Sequence, residues 1–288
     1  MSRAPTIDEL LRTGAAGLAG RSDSPGLDAR LLLGKVLGCD RAALAARPER
    51  TVSATDAAAF RALLAERRAG VPVAYLTGVR EFWSLPFAVS PAVLVPRPET
   101  ELLVATVLER LPADAPCAVL DLGTGSGVIA IAIAKERPRS RVTATDVSAE
   151  ALAIARSNAA SIGVDRVRWR RGSWFDAVPG ERFDWIASNP PYVAATDPAL
   201  AALAAEPREA LTPGDRGLEA IERIVADAPR HLHPAGGLAV EHGADQDRAV
   251  ATLFAARGFE GVRCVRDHAG LPRVTLGTIS DIQRGLGP

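Results

Sequence analysis

The run Val119-Leu-Asp121-Leu-Gly123-Thr-Gly125-Ser-Gly127-Val-Ile-Ala-Ile-Ala constrains this chain more than any other feature. A short apolar β-type stretch meets three glycines at alternate positions, and a longer apolar stretch follows, which reads as strand, tight turn and helix. Beyond Pro116 the same rhythm recurs. Apolar runs at Ala118 to Leu122, Val142 to Thr145, Val167 to Trp169, Phe183 to Ala187 and Leu238 to Glu241 alternate with helical patterns. Such alternation predicts an α/β fold with a doubly wound, mostly parallel sheet. Gly261 to Asp267 and Pro272 to Leu276, around a turn at Gly270, predict a closing antiparallel hairpin.

The first part of the chain has a different period. From Thr6 to about Gly70 the apolar residues fall at helical spacing, as in Ile7, Leu10, Leu11 and Leu27, Leu31, Leu32, and residues 1–75 read as a small helical bundle. Asp28 and Thr55 are expected as N-cap or first-turn residues, and Asp8 and Glu9 favour a helix N-terminus. Residues 76–98, rich in aromatic and β-branched residues and proline, read as a β-hairpin linker. Residues 99–288 form the third segment, opening on an amphipathic helix from Glu99 to Leu111.

With 34 basic and 34 acidic side chains among 288 residues, the chain lacks the global positive field that draws proteins onto nucleic acid. Residues 1–75 carry a net +3, from 11 basic and 8 acidic residues, too little to name a partner. Cys39, Cys117 and Cys264 lie far apart with no C-x-x-C pair, which suggests no disulfide scaffold or zinc site and fits a reducing cytoplasm. No run approaches the roughly 18 apolar residues of a membrane span, so the expectation is a cytoplasmic protein, neither exported nor membrane-bound.

The glycine turn lets backbone approach a ligand closely at a helix N-terminus. Its spacing is G-x-G-x-G, distinct from the dinucleotide G-x-G-x-x-G. Asp146 closes the next strand 19 residues after Gly127, where a carboxylate can accept from both hydroxyls of a ribose. A nucleoside cofactor follows, although a nicotinamide enzyme or a purely structural turn would also use these residues. Asp121 reads either as a turn acceptor or as an acid near the positive end of a sulfonium cofactor.

Directly after the fourth strand stands Ser188-Asn189-Pro190-Pro191-Tyr192. In an open α/β sheet, ligands bind beyond the C-terminal strand ends, so this loop is expected to face the cofactor pocket. Consecutive prolines lack N–H donors and stiffen the backbone, leaving carbonyls in fixed positions. The Asn189 side-chain oxygen and the Pro190 carbonyl can each accept one hydrogen of a planar NH2 group, and Tyr192 can pack on the acceptor. Taken blandly, Asn189 makes an Asx turn in a proline-rich loop.

At these residues the sequence resembles the class I S-adenosylmethionine-dependent methyltransferases, and more closely the HemK/PrmC family, which methylates the glutamine side-chain amide of peptide chain release factors. The likeness extends to Tyr75-Leu-Thr-Gly78, Phe82-Trp83, Val95-Pro-Arg-Pro-Glu-Thr-Glu101, Glu241-His-Gly243, and Arg266-Asp267 followed by Gly270 and Arg273. It implies that Gly123, Thr124, Gly125, Ser126 and Gly127 contact S-adenosylmethionine, that Asp146 holds its ribose, and that Trp174 lies beside its adenine. It implies further that Asn189, Pro190, Pro191 and Tyr192 hold the substrate glutamine, with Asn189, Pro190 and Tyr192 as the catalytic set. Ser173 departs from the family, many members of which carry an acid there. Arg97, Glu99 and Thr100 match a family motif, yet Arg97 and Glu101 also read as an ordinary i,i+4 surface pair.

Two other functions share these motifs. Asn-Pro-Pro-Tyr also suits the exocyclic amine of a nucleic-acid base, but such enzymes extrude the base and usually carry a basic recognition region. A cofactor-sensing module without turnover is the other. Neither a metal cluster nor a catalytic histidine is expected.

Overall fold

The computed structural model describes residues 3–280. Two compact units divide the chain, the first ending at Val79 and the second beginning at Arg80.

The first unit is helical: α1 (Ile7–Leu18), α2 (Pro25–Leu37), α3 (Arg41–Ala46), α4 (Ala54–Arg68) and α5 (Val73–Thr77). A reciprocal capping box starts α1, where the Thr6 hydroxyl accepts from Glu9 N while the Glu9 carboxylate accepts from Thr6 N. Pro25 occupies the first turn of α2 and a left-handed Gly38 ends it. Ile7, Leu10, Leu32, Leu33, Leu44 and Phe60 form its core. Asp28, a first-turn residue as expected, is buried and accepts from Ser22 and from Arg67 Nε at 2.7 Å. At the start of α4 the cap is Ser53, and Thr55, the second helical residue, lies in the first turn as expected.

The second unit starts with a hairpin, β1 (Val79–Phe82) and β2 (Leu85–Ala88), turned by Trp83 and Ser84 at φ 53° and 56°. Helix α6 (Glu99–Leu108) follows, and then β3 (Ala118–Leu122), α7 (Val128–Glu136), β4 (Arg141–Asp146), α8 (Ala149–Ile162), β5 (Arg168–Arg171), β6 (Phe183–Ser188), α9 (Glu219–Asp227), β7 (Leu232–Glu241), α10 (Asp247–Ala256), β8 (Phe259–Arg266) and β9 (Pro272–Ile279). The seven-stranded sheet runs β5-β4-β3-β6-β7-β9-β8. Its first five strands are parallel, and β9 and β8 pair antiparallel. This is the expected doubly wound sheet with its closing hairpin.

Burial on both faces explains the continuous apolar runs. Along β3, Val119 points to a cluster with α6 and α7, whereas Leu120 and Leu122 point to the opposite cluster with α9 and α10. Residues Val128 to Ala134 of α7 are all buried, so α7 shows no polar stripe. The expected strand at Leu238 proved to begin at Leu232, because the His-Pro-Ala-Gly-Gly stretch that hides it bends back into the ladder at Gly237. Helix α6 stops at Leu108, three residues short of the expected Leu111.

Candidate active site

Strands β3, β4 and β6 end side by side, with Leu122 opposite both Thr145 and Ser188. Strand order reverses at β3, since the chain moves outward through β4 and β5 and then returns to β6 on the other side. A crevice at such a reversal is where open α/β sheets bind ligands. Here it is a cleft of about 420 Å³, walled by the glycine loop, Asp146 to Ser148, Ser173 and Trp174, Asn189 and Pro191, and two loop segments, Pro91 to Arg97 and Pro207 to Ala210. That volume lies within the roughly 300–1,000 Å³ typical of small-molecule sites.

The glycine loop is held from beneath. Gly123 N and Thr124 N both donate to Thr145 O at 2.9 Å, and Gly125 N donates to Asp146 Oδ2 at 2.9 Å. Gly127, at φ 87°, caps α7 and donates to Thr124 O. These four amides are therefore spent inside the protein, and what the loop offers a ligand is close approach of bare backbone. Asn158, buried on α8, ties the loop to the hairpin: Nδ2 donates to Ser126 O and Ala88 O, and Oδ1 accepts from Ala88 N at 2.7 Å.

Asp146 accepts from Ser148 N as well as Gly125 N, and burial holds its carboxyl above the ordinary range. Beside it Val147 is 57% exposed and forms part of the cleft wall. Trp174 stands opposite in the left-handed region at φ 49°, with its ring 3.5 Å from where a Gly123 side chain would begin. A non-glycine residue in that region costs on the order of 1–2 kcal/mol, and such strain gathers at ligand sites. Asp121 lies outside the cleft wall. Fully buried, it accepts from Thr124 Oγ1 at 2.6 Å and Ala130 N at 3.2 Å, and burial pushes its pKa up to about 7. The turn-acceptor reading therefore describes it.

In the acceptor loop, the Ser188 hydroxyl donates to Leu122 O at 2.8 Å and anchors the strand end. Asn189 Nδ2 donates to Thr100 Oγ1 at 3.0 Å. Among the described residues no donor reaches Asn189 Oδ1. Asn189 lines both the cleft and an adjoining pocket of about 70 Å³, which Pro190, Tyr192, Leu94 and Leu203 also line. The Tyr192 hydroxyl reaches Glu241 Oε1 at 3.4 Å, and its backbone carbonyl accepts from Gln246 Nε2 at 3.0 Å. Burial, then the Glu241 charge, raises the Tyr192 pKa and keeps the phenol protonated.

Of the expected site residues, Gly123, Thr124, Gly125, Ser126, Asp146, Trp174, Asn189 and Pro191 border the cleft. Pro190 and Tyr192 border the adjoining pocket, and Gly127 serves α7. The expected pair of Arg97 with Glu101 does not form. Arg97 instead reaches the buried Glu206 at 2.5 Å, while Glu101 accepts from Trp83 N at 2.8 Å, because α6 starts only at Glu99 and Arg97 lies in the preceding loop. Sequence reasoning passed over Glu206, Gln246 and the role of Thr100; partners 111, 54 and 89 positions away leave no local signal. Histidines stand apart from this chemistry: His231 stacks on Phe175, His242 is buried against Thr275, and His233 and His268 are exposed.

Residues 9–78 match the PrmC N-terminal domain, and residues 99–217 match the methyltransferase small domain. The release factor glutamine methyltransferase of Pseudomonas aeruginosa is 49% identical over 259 residues, covering 88% of this chain and 94% of that protein. The Escherichia coli protein of the same name is 43% identical over 258 residues, covering 89% and 93%. This chain belongs to the release factor glutamine methyltransferase family. The family's two matched segments fall one in each unit, and the second contains both the glycine loop and Asn189 to Tyr192. Among solved structures, a methyltransferase from Pyrococcus furiosus superposes with a TM-score of 0.53 at 20% identity, covering 76% of this chain and 98% of that one. The Thermus thermophilus 16S rRNA N2 G1207 methyltransferase gives 0.54 at 17%, covering 70% and 49%. Both share this family member's fold.

Proposed function

We propose that this protein transfers a methyl group from S-adenosylmethionine to the side-chain amide nitrogen (N5) of the glutamine in the Gly-Gly-Gln motif of peptide chain release factors, a modification of translation termination. One observation carries the reading: Asn189 is tied back through its NH2 to Thr100, so its free oxygen stands where the cleft meets the smaller pocket. An oxygen there receives an N–H donor and repels a carboxylate.

The cleft residues fit the cofactor. Asp146 retains acceptor capacity for a ribose diol, Val147 and Trp174 offer apolar faces to a purine, and the bare glycine backbone admits close contact. When bound, S-adenosylmethionine supplies a methyl carbon on a sulfonium cation. The chain's own work is positional. Asn189 Oδ1 and the Pro190 carbonyl each hold one hydrogen of the glutamine NH2, which draws electron density onto the nitrogen and aims its lone pair along the line of displacement. The new N–C bond replaces the S–C bond, and one of the two hydrogens leaves as a proton to solvent. Tyr192, protonated, packs as a neutral ring. Alignment of two reactants in an in-line displacement accounts for most of such a rate gain.

The helical unit that ends at Val79 is assigned to recognition of the release factor body. Equal numbers of acids and bases, 34 each, favour a protein substrate over the phosphate backbone that an exocyclic-amine methyltransferase must engage. The cysteines are unpaired, and no described helix is long and apolar enough to cross a membrane; we assign the protein to the cytoplasm with its substrate. The test is transfer of labelled methyl from S-adenosylmethionine to purified release factor. Incorporation lost when the acceptor Gln is changed to Ala supports the reading, and no incorporation into the wild-type factor refutes it.

A further inference from the structure

The smaller pocket beside the cleft is bounded by three stiff pieces of chain. Leu94 and Arg97 line it from the loop before α6, Asn189 and Tyr192 from the loop after β6, and Leu203 and Leu211 from the long loop that precedes α9. Pro96 and Pro98 flank Arg97, Pro190 and Pro191 follow Asn189, and Pro207 follows Glu206. Proline fixes its own φ and restricts the residue before it. Such pieces do not adapt one residue at a time, so the ties between them set their spacing.

Each piece is tied to the next. Thr100 Oγ1 accepts from Asn189 Nδ2 at 3.0 Å, joining the first to the second, and Val193 N donates to Leu211 O at 2.9 Å, joining the second to the third. Glu206 joins the third to the first. Its side chain is 2% exposed; Oε2 accepts from the buried Val95 N at 3.0 Å, and Oε1 accepts from an Arg97 Nη2 that lies 109 positions away in sequence. Glu206 itself borders neither the cleft nor the pocket.

We infer that Glu206 is a positioning residue that closes a ring of three chain segments and thereby fixes the width of the pocket where the substrate amide meets the cofactor cleft. Stability alone gives little reason for a charge here, since a buried ion pair is often no better than well-packed apolar groups of the same volume. A carboxylate does what an apolar group cannot: its two oxygens take a backbone N–H and a guanidinium at once. Without it the first and third segments are free to part, and an amide held by Asn189 and Pro190 on the second loses its opposing wall. The inference deepens the proposed function and rests on it for the identity of the amide.

The test uses the full-length protein and the variants Glu206→Leu, Glu206→Gln and Glu206→Asp. Amide hydrogen exchange at Val95 is read by NMR without substrate or cofactor, and methyl transfer to release factor and S-adenosylmethionine binding are measured alongside. We expect Glu206→Leu to speed Val95 exchange and lower kcat, each at least tenfold. Its cofactor Kd should stay within threefold of wild type, because the glycine loop, Asp146 and Trp174 stand on other segments. Glu206→Gln keeps one oxygen with two lone pairs for both partners, and its kcat should stay within fivefold. Wild-type exchange and kcat in Glu206→Leu overturn the inference, as does a loss that lies wholly in cofactor Kd or a glutamine variant that falls as far as the leucine variant. If Glu206→Leu fails to fold, Glu206→Asp decides: its carboxylate, one methylene shorter, cannot span both partners, so exchange should quicken and kcat fall at least threefold, and wild-type values in both overturn the ring. An inactive wild type refutes the substrate reading alone, because Val95 exchange is read without turnover.

Discussion

Gly217 touches no substrate, yet a single methyl group added there should disable the enzyme. It sits at φ 74°, and a Cβ built on it would lie 2.5 Å from Tyr192 O and 2.9 Å from Ala194 N. Both are backbone atoms and cannot rotate aside. To regain ordinary contact at 3.4 Å the Tyr192 carbonyl must retreat about 0.9 Å, the difference between 3.4 and 2.5 Å, which also disturbs its bond from Gln246. A misplacement near 1 Å can cost about 100-fold in rate, so Gly217→Ala is expected to lower kcat about 100-fold. The left-handed backbone adds on the order of 1–2 kcal/mol, small against a stability of about 5–15 kcal/mol, so the variant should remain folded. Because Gly217 does not line the cleft, cofactor Kd should stay within twofold. Gly163→Ala is the control: at φ 79° it carries the same backbone strain with nothing within 4 Å. It should lose stability and keep its kcat. Steady-state methyl transfer, calorimetric binding and thermal melts read all three quantities. A Gly217→Ala enzyme with kcat within threefold of wild type would refute the argument that this backbone contact fixes the acceptor loop.

Three further expectations follow from the same geometry. Asn158→Leu removes three hydrogen bonds, one to the buried Ser126 carbonyl and two to the exposed Ala88, and the buried orphan alone costs about 1–3 kcal/mol; chemical denaturation should show a loss of at least that order and titration a weaker cofactor affinity, whereas wild-type values in both would contradict the bracing role. Asp121 and Glu241 are raised by burial from 3.8 and 4.5 to about 7. The native state thus binds protons that the unfolded chain has released, and stability is present below the unfolded values and lost as pH rises toward 7. At about 1.4 kcal/mol per pH unit, unfolding free energy should fall by up to about 3 kcal/mol for Asp121 between pH 5 and 7. Asp121→Asn should flatten that slope, and parallel profiles for the two proteins would refute it. S-adenosylmethionine should raise the melting temperature by mass action whereas NAD should not; a shift with NAD alone would reassign the cleft.

Much of this arrangement was legible along the chain because its signals are local. The glycine loop, Asp146 and the Asn-Pro-Pro-Tyr loop each sit at the end of a short apolar run, and a doubly wound sheet brings such ends together. What stayed hidden is held across the fold. Thr100 reads as a helix residue until β6 places Asn189 against it, and Glu241 reads as the last residue of a strand until its burial shows a carboxylate without a full complement of donors. Arg97 misled for the same reason: a partner four positions on lay within reach along the sequence, but the backbone before α6 turns the guanidinium to Glu206. Long β7 was shortened by its own His-Pro-Ala-Gly-Gly start, whose residues weaken strand propensity while tertiary pairing overrides it.

Replacing Asn189 by Ala, and measuring labelled methyl transfer to release factor beside calorimetric binding of S-adenosylmethionine, probes the amide clamp at its source. Loss of one preorganised polar contact at a reacting group is worth on the order of 100-fold in kcat, so turnover should fall by about that factor while cofactor affinity changes less than threefold. Turnover at the wild-type rate with cofactor still bound would contradict the account.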